Sequence, residues 1–163
     1  MKFEHLIEIN DPLNPLIDTV TREQLWRGLV LRAEDPKLFV PHLDECTLGE
    51  RNSETSSFTR RLRYGELVID DTVYLTPLQE VRFEVPAQGD IAQSRLTMAI
   101  EAPTEGVLWV RFTYDDGNPA AADDMGKMYE DFKKSAYQEA DLDTVKIVRQ
   151  MAAEGKLDAS YLN

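Results

Sequence analysis

The run Phe58-Thr59-Arg60-Arg61-Leu62-Arg63-Tyr64 holds the residue best placed to do chemistry in this chain. Strand alternation that turns Phe58, Leu62 and Tyr64 inward turns Arg60 inward with them. A guanidinium is rare in an apolar interior unless it is paired. Two roles fit: an anchor for a carboxylate, enolate or phosphate on a ligand, or a structural charge that reaches solvent or an acidic neighbour. Tyr114, Tyr129 and Trp26 add polar tips to oily surroundings, where a phenol or indole either hydrogen-bonds one ligand oxygen or simply joins the core. Met98, Met125 and Met128 are soft, unbranched side chains that suit a cavity wall or a plain core equally.

Other chemistries find no support. His5 and His42 are far apart, and neither sits in an HxH, HExxH or CxxC arrangement, so no metal is expected. An imidazole at His42, near the second predicted helix, is either an acid or base at a pocket mouth or an ordinary surface group. Cys46 has no basic signature beside it and reads as an inert thiol. No GxSxG, phosphate-binding loop or dinucleotide-binding glycine pattern occurs, and no cofactor is expected. The acidic pairs Asp115-Asp116 and Asp123-Asp124 precede a helical stretch, where negative charge complements free amides; their spacing is not that of a calcium loop.

Composition narrows the partners. The 163 residues suit one domain spanning 1–163, with 30 acidic against 18 basic side chains and a formal net charge of -12. Such a surface repels phosphate backbones and anionic headgroups, so neither nucleic acid nor membrane insertion is expected. With a single cysteine, no intramolecular disulfide can form. No segment approaches the roughly 18 apolar residues of a membrane span, and the sequence reads as that of a soluble, cytoplasmic protein.

The elements that must position these residues follow from periodicity. Phe3, His5, Ile7 and Ile9 alternate as a half-buried strand ended by Asp11-Pro12. Thr21-Arg22-Glu23-Gln24 has the form of a capping box, and the helix it opens carries Leu25, Trp26, Leu29, Val30 and Ala33 before stopping ahead of Pro36. Asp35-Pro36 then opens a very short helix through Phe39. From Leu43 to Asp116 six strands follow as a meander, broken at Asn52-Ser53, Tyr64-Gly65, Thr76-Pro77, Pro86 to Asp90 and Pro103 to Gly106. Their inward faces hold Phe58, Leu62 and Tyr64; Val81, Phe83 and Val85; Leu96, Met98 and Ile100; and Leu108, Val110, Phe112 and Tyr114. The opposite faces carry arginines and glutamates that can meet in solvent. Trp109 falls in that outward row, either covered by arginine stems or marking a homodimer contact.

The last segment is helical, with Met125, Met128, Phe132 and Ala136 at spacings of three and four. This stripe is expected to lie on the sheet. At about 100° per residue, Val145, Val148 and Met151 leave that direction, which predicts a kink or restart near residues 140–143. If the first strand pairs with the last, about seven antiparallel strands form a curved α+β sheet, and the Gly117-Asn118-Pro119 turn lays the terminal helix across its concave face.

The stretches "QLWRGLVLRAEDPKLFVP" (24–41), "SRLTMAIE" (94–101) and "VLWVRFTYDDG" (107–117) resemble the family related to acetylaranotin biosynthesis protein L. That family is similar to the Bet v 1-like helix-grip proteins of the START and polyketide cyclase superfamily. The resemblance covers nearly the whole chain and implies a cavity for a small or medium hydrophobic molecule. Some distant members of the superfamily are aromatases, cyclases or lipid carriers. The residues expected to line the cavity are Trp26, Phe39, Phe58, Arg60, Leu62, Phe83 and Met98 from the first helices and the sheet, Phe112 and Tyr114 from the last strand, and Met125, Met128, Tyr129 and Phe132 from the terminal helix. A cyclase-like enzyme and an interaction protein with a filled core are the alternatives to a binding protein.

Overall fold

The computed structural model describes residues 1–159. Seven strands, β1 (Lys2–Asn10), β2 (Glu45–Asn52), β3 (Ser57–Tyr64), β4 (Leu67–Thr76), β5 (Glu80–Val85), β6 (Ser94–Glu101) and β7 (Leu108–Asp115), form one curved antiparallel sheet. Its order is β1-β7-β6-β5-β4-β3-β2, so the first and last strands are neighbours, with Phe3 opposite Tyr114 and Ile7 opposite Val110. β1 and β2 are therefore opposite edges. Both carry a break in register, between Glu8 and Asn10 and between Leu48 and Arg51.

Helix α1 (Arg22–Glu34) and a 3₁₀ turn (Pro36–Leu38) carry the chain from one edge to the other. The capping box forms as the sequence predicts: the Gln24 amide donates to Thr21 Oγ1 at 3.0 Å, and the Thr21 amide donates to Gln24 Oε1 at 2.9 Å. Leu25, Leu29 and Ala33 are buried, and α1 contacts β5 and β6. The extended stretch that leads into α1 is held by Asn10, whose side chain donates to the Val20 carbonyl at 2.6 Å and accepts from the Val20 amide at 2.9 Å.

Helix α2 (Asp124–Ala153) is one unbroken helix, which corrects the break expected near 140–143. Asp123 caps it, accepting from the Gly126 amide at 2.7 Å. It rests on β1 and α1. Its inward row runs Gly126, Glu130, Lys133, Tyr137, Asp141, Thr144, Val148 at spacings of four and three, half-buried at first and fully buried from Asp141 onward. The first half of that row is polar because it ties down the connection from β7: Glu130 accepts from the Ala121 amide at 2.8 Å, and Lys133 reaches Asp116 at 3.4 Å.

The expected apolar stripe therefore points the other way. Met125, Met128, Tyr129 and Phe132 are 65–81% exposed, on a side of α2 roughly 120° round from the inward row. The change of apolar direction along the sequence is absorbed by turning the first stripe to solvent, not by interrupting the helix. Where α1 crosses α2 the approach is close: a Cβ on Gly28 would lie 2.8 and 2.9 Å from the two methyl carbons of Val148. No helix among the described residues is long and apolar enough to cross a membrane.

Candidate functional site

A cavity of about 380 Å³ opens at the end of the sheet where α1 finishes and the middle of α2 passes over β7. Leu62, Ile69, Phe83, Val85 and Leu96 give it an apolar wall. Arg32, Arg60, Tyr64, Tyr114 and Tyr137 bring polar groups to it from four elements. Alternation places Arg60 there as the sequence reading expects, and its side chain is 4% exposed.

Arg60 is not free. Its Nε and Nη2 donate to Asp71 Oδ1 and Oδ2 at 2.9 and 2.6 Å, and Nη1 donates to the Ala33 carbonyl at 2.9 Å. The guanidinium also lies over the Phe83 ring, 4.8 Å from its centroid. Asp71 is the residue opposite Arg60 in the β3–β4 ladder. Of the two roles open to Arg60, the geometry supplies the structural one: a buried cation whose fork is filled by a buried carboxylate.

Arg32 is in a different position. It reaches the cavity from the last turn of α1, and no hydrogen bond or ion pair joins its side chain to any described residue. Burial, and then the neighbouring Arg60 charge, lower its pKa from the ordinary guanidinium value, while Tyr114, Tyr64 and Asp141 act in the opposite sense.

At the α2 side of the cavity Tyr114 and Tyr137 stack with ring centroids 3.9 Å apart and planes 7° from parallel. The Tyr114 hydroxyl donates to Asp141 Oδ1. Asp141 Oδ2 lies 3.4 Å from His5 Nδ1. The Asp141 side chain is 3% exposed, and burial raises its pKa to about 6 against the pull of Tyr114 and His5. Burial, and then the adjacent carboxylate, push the Tyr114 phenol well above its usual range, so it remains a donor.

The other expected lining residues are distributed as follows. Leu62, Phe83 and Tyr114 border the cavity with Arg60. Phe39, Phe58, Met98 and Phe112 are buried in the continuous core, with Trp26 half-buried at its margin, and none of the five borders the cavity. Met125, Met128, Tyr129 and Phe132 are corrected to the solvent side of α2. His42 is exposed, and burial raises the pKa of the half-buried Cys46 thiol. Trp109 is half-buried in the outward row of β7, flanked across the ladders by Glu8 and Glu101.

Among the cavity residues absent from the expected lining, Asp71, Arg32 and Tyr137 each leave a signal in the sequence. Asp71 shares parity with Ile69 and Val73 in its strand. Arg32 follows Leu29 by three and Gly28 by four on the buried face of α1. Tyr137 precedes Asp141 by four on the face that leads to Val148.

The sequence profile described as acetylaranotin biosynthesis cluster protein L matches residues 7–155. The chain belongs to this family. Members of other families share the fold. The structure of the Zhui aromatase/cyclase from Streptomyces sp. R1128 superposes with a TM-score of 0.66 at 14% identity, covering 98% of this chain and 97% of that one. Human STARD10 gives 0.62 at 10% identity, over 99% of this chain and 68% of its own. Ara h 8.0201 gives 0.54 at 12% identity, over 94% and 99%. At these identities the likeness concerns the fold, which is that of the helix-grip proteins. No curated protein matches the sequence. Among the described residues, then, this acetylaranotin protein L family member has a helix-grip sheet with two main helices, and Arg32, the Arg60–Asp71 pair and the tyrosines bring polar groups to its cavity.

Proposed function

We propose that this protein binds a small or medium apolar molecule in the cavity between β3–β7, the end of α1 and the middle of α2. The observation that carries this reading is a space of about 380 Å³ with an apolar wall and several converging polar tips. Its volume lies in the range of small-molecule sites, and its mix of surfaces is the one such sites use to bury a ligand and fix its orientation. The likeness in fold to an aromatase/cyclase supports the same reading. The test is fluorescence of the neutral probe N-phenyl-1-naphthylamine, whose emission rises in an apolar site. Wild-type protein is expected to enhance it saturably, and Leu96→Trp, which fills the wall, is expected to abolish the effect. Equal signals from both proteins would remove the cavity from consideration.

A second reading is favoured by one cluster. Tyr114 borders the cavity, and its one hydroxyl proton goes to Asp141 while that carboxylate is ionised; protonation of Asp141, whose pKa is about 6, reverses the bond and frees the Tyr114 hydroxyl to donate into the cavity. A cyclase-like step on a polyketone needs such an arrangement: a donor on a substrate carbonyl as an enol forms, and a second group to exchange the proton. Single-turnover assays with short polyketone thioesters test it. Product formation by wild type and its loss in Tyr114→Phe, with unchanged probe affinity, would separate catalysis from carriage.

A further inference from the structure

One cation at the cavity has no direct partner. Arg60 is neutralised by Asp71, and Arg95, at the rim, is paired with Glu84 at 2.8 Å. The amino group of Met1 is held by Asp116, which also receives Lys133. Asp115 accepts the Gly117 amide at 2.9 Å. Among the described side chains bordering the cavity, Arg32 is the cation left without an ion pair or a hydrogen-bond acceptor, and the Asp141 carboxylate acts on it only at longer range. This occurs in a chain with 30 acidic residues and a net charge of -12, where a carboxylate partner would be easy to supply. A guanidinium drawn into an apolar cleft carries a desolvation penalty that an anion relieves when it arrives.

From this geometry we infer that the ligand is a monoanion, an apolar molecule carrying one carboxylate, and that Arg32 binds that carboxylate while the apolar body lies against Leu62, Phe83 and Leu96. The inference rests on the cavity reading above and adds the ligand's chemical class. One cation without a direct partner matches one negative charge. The planar fork of arginine matches a planar carboxylate through two parallel hydrogen bonds. A phosphate dianion would keep a surplus negative charge close to Asp71, Asp115 and Asp116, which line the same space. The role belongs to Arg32 and not to Arg60, because all three nitrogens of the Arg60 fork already donate to protein acceptors.

A matched series on one ring system tests the idea by calorimetry: 2-naphthoate, 2-naphthyl phosphate and the neutral 2-naphthamide, each against wild type, Arg32→Gln and Arg32→Lys. Wild type is expected to prefer naphthoate over naphthamide by roughly tenfold or more, the range of a charge-assisted hydrogen bond, and to bind the phosphate more weakly than the carboxylate. Arg32→Gln should lose that preference while its naphthamide affinity stays within about twofold. Arg32→Lys should retain part of it. Naphthamide binding by the variants also reports that they are folded. If naphthoate and naphthamide bind wild type alike, or if Arg32→Gln keeps the preference, the anchor is overturned and the cavity reading stands. If the phosphate binds best, the carboxylate class is overturned. If none of the three binds wild type, the inference falls together with the cavity.

Discussion

Arg60 and Asp71 face each other across β3 and β4, joined by hydrogen bonds of 2.9 and 2.6 Å, and neither side chain is more than 4% exposed. Replacing one partner strands the other. Asp71→Ala is expected to cost about 3–5 kcal/mol, because an uncompensated guanidinium remains in the core. The double replacement Arg60→Met with Asp71→Leu should cost less than Asp71→Ala alone, since a buried ion pair contributes little net stability beyond an apolar pair of similar size. Urea denaturation of the three proteins decides it. A double variant less stable than Asp71→Ala would show that the pair holds the fold by more than mutual neutralisation.

Gly28 in α1 and Val148 in α2 set the distance between the helices. A methyl group at Gly28 meets the valine methyl carbons at 2.8 and 2.9 Å. Gly28→Ala should therefore lower stability by about 1–3 kcal/mol through overpacking, in spite of the gain of about 1 kcal/mol in helix propensity. Adding Val148→Ala makes room, and the two changes together should be less harmful than the sum of each alone. Thermal melts in a double-mutant cycle give the sign directly; strict additivity would mean that the helices separate freely.

Asp141 gives the stability a slope with pH. Its native pKa of about 6 is above the ordinary carboxylate value, so between about pH 4 and pH 6 the folded state holds its proton more tightly than the unfolded chain. The contribution is fully present below that window and is lost as pH rises through it. The groups facing Asp141 are Tyr114 from β7 and His5 from β1, with Arg32 of α1 at longer range. Asp141→Asn removes the titration and leaves an oxygen to accept from Tyr114. Relative to wild type, the variant should gain on the order of 2 kcal/mol between pH 4 and pH 7. Carboxylates whose pKa is lowered, such as Asp116 and Asp70, have the opposite slope but act in both proteins and cancel. Urea midpoints across the range that run parallel for the two proteins would contradict the assignment.

The outward stripe of α2 contributes little to the fold. Met125→Ser, Met128→Ser and Phe132→Ser are each expected to change stability by no more than about 0.5 kcal/mol, as exposed sites do. Leu29→Ala, at a side chain 1% exposed in α1, should cost about 2–5 kcal/mol. Denaturation midpoints suffice for the comparison. A large loss from Phe132→Ser would place that ring against protein and not against water.

Much of the architecture is legible from local rules. Thr21 and Gln24 announce α1, Pro36 ends it, and the period of two in 58–64, 81–85 and 108–114 gives both the strands and their inner faces. Pairing of β1 with β7 follows from the order of the elements. The α2 stripe is where such reasoning fails. Methionines and a phenylalanine at helical spacing read as a buried face, but Glu130 and Lys133 have local partners in the 116–123 connection that hold the opposite side inward. Arg60 was legible as an inward charge. Its partner is set by register across a hairpin, which periodicity alone does not fix. Arg32 was hidden because one arginine on an amphipathic helix is unremarkable until Asp71 of β4 takes up its neighbour Arg60.

The register breaks in β1 and β2 have a consequence for the protein as a material. An open sheet offers unpaired amides at both rims, and a straight rim is a template on which further chains can add. Here each rim is interrupted, after Glu8 on one side and between Leu48 and Arg51 on the other. Such interruptions bend and twist the backbone out of line: β2 is left with paired runs of Glu45 to Leu48 and Arg51 to Asn52, whereas β1 keeps Lys2 to Glu8 in register before its break. The sheet thus ends without closing into a barrel, and of its two rims the one at β2 is the poorer template for an added strand.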